Sequence, residues 1–345
     1  MKKNLTIVDI AQLSGVSKST VSRVLNNEPK VKPDTKERVL QVIEENGYFP
    51  NELARTLVRS KSKLIGLIRP FQSRTFYQSA FFRDIFVGIG TQLKEFDYDI
   101  ITASGYGNES MALKRFTQTY HTCGMILLYS IPDDPSIHYL QKNQIPFSLV
   151  GACEGFSGVN QVAPDFHGAI MQIVDDLVQR GYKRIALWFS DPLLATERSY
   201  IQGYYDAMKA HGLSVYPDDV ISNLYTQADT AQALRRRRSG NHTSDAIIVG
   251  SEFLCCNLLR CGQELGLRIP EDLAIFSLEN TSMNDIYGIS ALELDYVGMG
   301  ATAARILLDM IGGAQPVQIH PGFQILHRAS TNAHGTSPEL PYREY

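Results

Sequence analysis

Lys18, Ser19 and Arg23 lie on one short helical pattern, and their donors suit the edges of stacked bases in a duplex major groove. Arg23 in addition has the fork geometry that pairs bidentately with guanine. Thr6, Ser17, Thr20 and Asn26 flank them with hydroxyl and amide groups suited to phosphate oxygens, contacts that position a protein on a duplex without reading its sequence. The charge distribution agrees. Residues 1–63 hold 12 Lys/Arg and 7 Asp/Glu, against 21 and 29 in the remainder, so a head of +5 precedes a body of −8. A basic module fused to an acidic body is the arrangement expected when phosphate is bound at one end alone.

The elements that must position these groups are short. Ile7, Ile10, Ala11 and Leu13 predict the inner face of a first helix, which Ser14-Gly15-Val16-Ser17 interrupts. Ser17 then suits the N-cap of a second helix with Val21, Val24 and Leu25 inward, ending at Asn26-Asn27-Glu28-Pro29. A third helix is expected from Pro33 to Asn46, with proline at its first position and Gly47 as its stop. Three helices with a tight glycine-containing turn between the first two describe a helix-turn-helix unit. Asn51 to Val58 has helical composition, but eight residues are too few for a stable isolated helix, so a partner must hold it, and DNA is the expected one. Arg59 to Lys63 reads as a polar linker.

Beyond Lys63 short apolar runs alternate with amphipathic ones. Strands are expected at Leu64–Ile68, Tyr98–Thr102, Met125–Tyr129, Phe147–Val150, Ile185–Phe189, Ala246–Val249 and Leu273–Ser277. Runs apolar on both faces mark parallel sheets with crossover helices, and the length suffices for two α/β lobes. Phe76-Tyr77-Gln78-Ser79-Ala80-Phe81-Phe82 follows the first of these strands, where a cleft should open, and aromatic faces stack on sugar C–H surfaces. Arg235 to Arg238 reads as a solvated helix surface.

Cys123, Cys153, Cys255, Cys256 and Cys261 show neither paired nor zinc-type spacing and are expected reduced, so no metal or other cofactor is expected. GxSxG, HExxH, phosphate-loop and GxGxxG patterns are missing and the eight histidines are scattered, which argues against an enzyme. With no apolar leader and no membrane-length apolar run, a cytoplasmic location without membrane attachment is expected.

The contiguous run Ile7 to Asn26 resembles the N-terminal signature of the LacI/GalR repressor family. The resemblance extends through Gly47-Tyr48-Phe49-Pro50-Asn51, Ala54-Arg55-Thr56-Leu57 and Leu64-Ile65-Gly66-Leu67, and more loosely over nearly the whole chain. It implies a helix-turn-helix headpiece (1–50), a hinge helix and linker (51–63), and an effector-binding and dimerisation core (64–345). Two Rossmann-like lobes like those of periplasmic binding proteins would form that core, the first from about 64–179 and 296–323, the second from about 180–292 and 324–335. The partners it implies are palindromic operator DNA, a small sugar effector and a second copy of the chain.

Several residues take roles by that resemblance. Lys18 and Ser19 set operator preference, and Asn51 and Arg55 join the DNA contacts. Leu57 matches the leucine that relatives drive into a minor-groove step, where unstacking is repaid by the bend and added contacts. Arg198 matches a ligand-gripping arginine. Glu279 stands where most members have aspartate, Asp165 matches an acidic residue at a strand end, and Ser251 replaces a usual asparagine. Phe76, Tyr77, Phe81 and Phe82, with Asp133-Asp134-Pro135, resemble the maltose-operon repressor subgroup, so maltose or a related α-glucoside is the expected ligand. The segment Tyr296 to Arg305 matches poorly the signature by which relatives dock a phosphorylated carrier protein, and that partner is not expected.

Overall fold

A computed structural model describes residues 5–25, 31–46, 48, 62–69, 80–104, 109–239 and 243–332. The chain divides into two compact units, Met1–Ser62 and Lys63–Tyr345. Of the expected site residues, Asn26, Asn51, Arg55, Leu57, Phe76 and Tyr77 lie outside the described residues, as do Gly47 and the expected helix over 51–58.

In the first unit, α1 (Ile7–Ser14), α2 (Lys18–Leu25) and α3 (Pro33–Glu45) pack around Ile10, Val21, Val24 and Val39. Thr6 caps α1 in a reciprocal capping box with Asp9. Gly15 ends that helix at φ 66°, ψ 32°, a left-handed conformation that a side chain would strain, and this makes the sharp turn into α2. The inner face of α1 differs from the sequence reading. Ile10 is fully buried, but Leu13 is 55% exposed and Ser14 faces inward, its Oγ donating to the Ile10 carbonyl at 2.6 Å. Positions 7, 10, 11 and 14 follow the helical repeat, whereas Leu13 is displaced by about a quarter turn.

The second unit holds two six-stranded sheets. The first contains β1 (Leu64–Arg69), β2 (Asp99–Ser104), β3 (Gly124–Leu127), β4 (Phe147–Val150), β5 (Asn160–Val162) and β11 (Gln318–Ile319), in the order β11-β5-β4-β3-β1-β2. The second contains β6 (Ile185–Trp188), β7 (Val220–Ile221), β8 (Ala246–Val249), β9 (Ala274–Ser277), β10 (Ser290–Glu293) and β12 (Gln324–Leu326), in the order β12-β10-β9-β8-β6-β7. The two orders are equivalent, and every pairing is parallel except the antiparallel β10–β12. Strands β3, β4, β6, β8 and β9 are buried along their whole length, as expected for sheets covered by helices on both faces.

Helix α4 (Ala80–Lys94) lies against the helix Tyr296–Ile311 at Gly88 and Gly300, where a Cβ on either glycine would overlap a backbone carbonyl of the other helix. The helix Phe166–Gln179 packs on the helix Ala195–Ala210. The arginine run on the helix Gln227–Ser239 is not uniformly solvated. Arg235 and Arg236 are exposed, but Arg237 is only 8% exposed and donates from Nε to the Ser244 carbonyl at 2.9 Å. Burial lowers its pKa to about 10. All five cysteines are free thiols, with Cys255 and Cys261 buried.

Candidate functional site

The exposed side of α2 gathers the groups singled out in the headpiece. Val21 and Val24 face the core, so Lys18, Ser19 and Arg23 are left on the solvent side, with Ser19 and Arg23 one helical turn apart. Ser17 Oγ accepts from the Thr20 amide at 3.2 Å, capping α2, and lies 2.8 Å from Ser19 Oγ and 2.9 Å from Thr20 Oγ1. Thr6 holds the start of α1. The helix N-terminus and its hydroxyls thus sit beside two exposed basic side chains, an arrangement suited to phosphates and base edges.

In the second unit a cavity of about 190 Å³ opens where the carboxyl ends of both sheets meet. Tyr129 and Ser130 follow β3, Gly151 follows β4, Asp191 follows β6, Ser251 follows β8 and Glu279 follows β9, and all of them line it. Open parallel sheets bind ligands at this end because the connecting loops diverge there. Phe81, Phe166, Tyr200, Tyr225, Phe253 and Tyr296 supply aromatic walls. Two of these contacts are edge-on pairs, Phe81 with Tyr296 at 5.3 Å between ring centroids and Phe166 with Tyr200 at 5.2 Å.

The polar lining is acidic. Asp191, Glu197 and Glu279 are the charged side chains among the described lining residues, and no Lys, Arg or His lies with them. Glu279 is fixed by the Glu252 amide, which donates to its Oε2 at 2.9 Å, and Ser251 Oγ caps the helix Glu252–Glu264 by accepting from Leu254. Burial, then Glu279 and Asp191, push the Glu197 carboxyl up to about 8. Glu197 occupies the first turn of the helix Ala195–Ala210, whose dipole favours the ionised form by about 0.3–1 kcal/mol, less than the opposing effects. The Tyr200 and Tyr296 hydroxyls are held well above their usual range by burial and by the Glu197 and Glu279 carboxylates.

Phe81, Ser251 and Glu279 therefore line the cavity, and three other expected ligand residues do not. Arg198 is exposed beside it, its Nε 3.1 Å from the Glu154 carboxylate. Asp165 is exposed and caps the helix Phe166–Gln179 by accepting from Gly168 at 2.8 Å, while its neighbour Phe166 reaches the cavity. Phe82 packs beside Phe86. The sequence reading missed most of the other lining residues, among them Glu197, Tyr200, Tyr225, Tyr296 and Asp191. A signal existed for the first two: Glu197, Tyr200 and Tyr204 recur at the spacing of one helical face, and Arg198 falls off it.

The edge of the cavity joins the two sheets. The Ala152 amide donates to Thr196 Oγ1 at 3.1 Å and the Ala195 amide to the Ser130 carbonyl at 2.9 Å. Together with the Arg198–Glu154 pair, these bonds fasten the start of the helix Ala195–Ala210 to loops of the first sheet.

Comparison with known proteins defines the class first. Residues 6–51 match the family described as bacterial regulatory proteins, lacI family, and residues 174–331 match a periplasmic binding protein-like domain. The regulator MalR of Streptococcus pneumoniae is 32% identical over 314 residues, covering 88% of this chain and 93% of that protein. Catabolite control protein A of Priestia megaterium is 28% identical over 311 residues, covering 88% and 92%. A solved CelR–cellobiose complex aligns with a TM-score of 0.70 at 26% identity, covering 94% of this chain and 99% of that one. The lac repressor dimer bound to operator shares the fold, with a TM-score of 0.82 at 20% identity and coverage of 95% and 99%. These likenesses define a DNA-binding transcriptional regulator, and the chain belongs to the LacI family. No helix among the described residues is long and apolar enough to cross a membrane.

Proposed function

We propose that the chain is a repressor that grips a palindromic operator as a homodimer and changes that grip when a small neutral saccharide occupies the cavity. The observation that carries this reading is the cavity lining: carboxylates and hydroxyls to accept and donate, aromatic walls for C–H faces, and no cation among the described lining residues. Lys18 and Ser19 set sequence preference, Arg23 reads guanine, and Thr6, Ser17, Thr20 and Asn26 hold phosphate. Asn51 and Arg55 add contacts, and Leu57 wedges the central step.

Maltose or a related α-glucoside is the favoured effector, supported by the likeness to MalR over nearly the full length of both proteins. Cellobiose is the second reading, favoured by the solved CelR complex. Both leave the mechanism the same. The effector shifts a two-state equilibrium by no more than its differential affinity for the two states, typically about 1–3 kcal/mol, weakening the operator complex as an inducer or strengthening it as a corepressor. Isothermal titration of the intact protein with maltose and with cellobiose tests this. Saturable one-to-one heat with one of them supports the saccharide reading and chooses the glucoside, and silence with both removes it.

A further inference from the structure

The two sheets furnish the cavity unequally. From the first sheet and the two helices laid on it come Phe81, Leu128, Val150, Tyr296 and Met299, and all of these but Phe81 are at most 7% exposed. Ser130 stands on the same side, but its Oγ already donates to the Ala152 carbonyl at 2.7 Å. From the second sheet and its helices come Asp191, Glu197, Ser251 and Glu279, each half-buried, mixed with the rings of Tyr200 and Tyr225. Every carboxyl among the described lining residues is thus on the second side, and the first side presents aliphatic and aromatic surface that is nearly dry.

A ligand that fills such a cavity needs hydroxyls toward the second sheet and apolar atoms toward the first. One pyranose ring meets the first demand, since its hydroxyls suit the carboxyls and its C–H face suits the tyrosine rings. A second pyranose ring meets the other demand poorly. Its hydroxyls would lie against Leu128, Val150 and Met299, and a hydroxyl stripped of water without a new partner weakens binding. An aryl or alkyl group gains on that same surface, by about fourfold in affinity for each methylene buried.

We propose that the cavity takes a glucoside whose aglycone is an aryl or alkyl group, with the sugar ring against Asp191, Ser251 and Glu279 and the aglycone against Leu128, Val150 and Met299. The proposal rests on the saccharide reading above and narrows it to glycosides with one apolar half. The glucosyl unit is the one that maltose and cellobiose share, so both disaccharides remain weaker ligands of the same site.

Titration calorimetry on the full-length protein compares the methyl and phenyl glucosides of both anomers with phenol, with maltose as the α-linked disaccharide and with cellobiose as the β-linked one. In the anomer that binds, the phenyl glucoside should bind at least about tenfold more tightly than the methyl glucoside, and more tightly than the disaccharide of the same linkage. Met299→Gln places an amide in the apolar wall at nearly constant length and should reduce the ratio of phenyl to methyl affinity by about tenfold. Glu279→Gln should lower both affinities and leave that ratio where it was. Melting curves of the two variants identify one that fails to fold, and the ligand series on the unaltered protein then decides alone.

Equal affinity for the phenyl and methyl glucosides, or a disaccharide bound more tightly than the phenyl glucoside of its linkage, overturns the proposal and leaves the saccharide reading standing. Phenol bound as tightly as its glucoside, or silence with every sugar in the series, overturns the proposal and the saccharide reading together.

Discussion

In the headpiece the candidate DNA-reading groups project into solvent from one short helix, whereas in the body the candidate ligand groups converge on a cavity from loops scattered over more than half the chain. The signs are opposite as well. Lys18 and Arg23 are exposed cations, and Asp191, Glu197 and Glu279 are carboxyls facing one another. Exposed charge acts at a distance and is screened by salt, while an enclosed site selects by hydrogen-bond pattern and shape. The proposed function therefore gives one chain a reader of polyanions and a reader of small neutral molecules, whose responses to salt should separate.

Salt should divide them most widely. Each phosphate contact releases counterions, so operator affinity should fall by on the order of 10³-fold or more between 50 and 200 mM salt, as it does for proteins making about six to ten such contacts. Effector affinity over the same range should change less than twofold, and a matching slope in both would show that the cavity, too, reads charge.

Core truncation is the next largest effect. Ile10→Ala removes the fully buried centre of the headpiece and should destabilise it by about 2–5 kcal/mol, abolishing operator binding while calorimetric sugar binding persists. Loss of both would mean that the cavity depends on the headpiece fold.

Arg23→Ala should weaken operator binding by about 1–3 kcal/mol and relax the preference for one base pair, read by anisotropy on a set of single-substitution operators. A uniform loss on all sequences would assign Arg23 to phosphate instead. Arg198→Ala should have the smallest effect, since an exposed ion pair is typically worth about 0.2–1 kcal/mol, so effector affinity should move less than about fivefold. A loss of a hundredfold would restore Arg198 as a direct ligand contact.

The same contrast explains what could be read from the chain. Headpiece function is written in consecutive residues, where helical spacing alone decides that Lys18, Ser19 and Arg23 face outward once Val21 and Val24 face inward. Even there Leu13 misled, because hydrophobicity alone assigned it to a face that the helical repeat gives to Ser14. The parallel strands β1, β2, β3, β4, β6, β8 and β9 were legible from their apolar runs. Strands β5, β7, β11 and β12 are only two or three residues long, and β10 sets its two apolar residues between Ser290 and Glu293, so these carry too little pattern to be seen. The cavity was half legible. Ser251, Glu279 and Phe81 were found by likeness, but Glu197 and Tyr200 become lining residues only because the helix Ala195–Ala210 turns that face toward the strand ends. Asp165 and Arg237 taught a related lesson, since a charged side chain can serve as a helix cap or a buried clamp on a carbonyl, and composition does not distinguish these from a binding role.

Effector-controlled operator binding is tested most directly by fluorescence anisotropy of the full-length protein on a palindrome of about 20 bp from its own upstream region, with and without maltose and cellobiose, at several salt concentrations. The expected result is tight, salt-steep, sequence-preferring binding that one of the two sugars shifts by about 5- to 150-fold. Binding without sequence preference at every salt concentration, or tight binding that neither sugar moves, would contradict the linkage of the two readers.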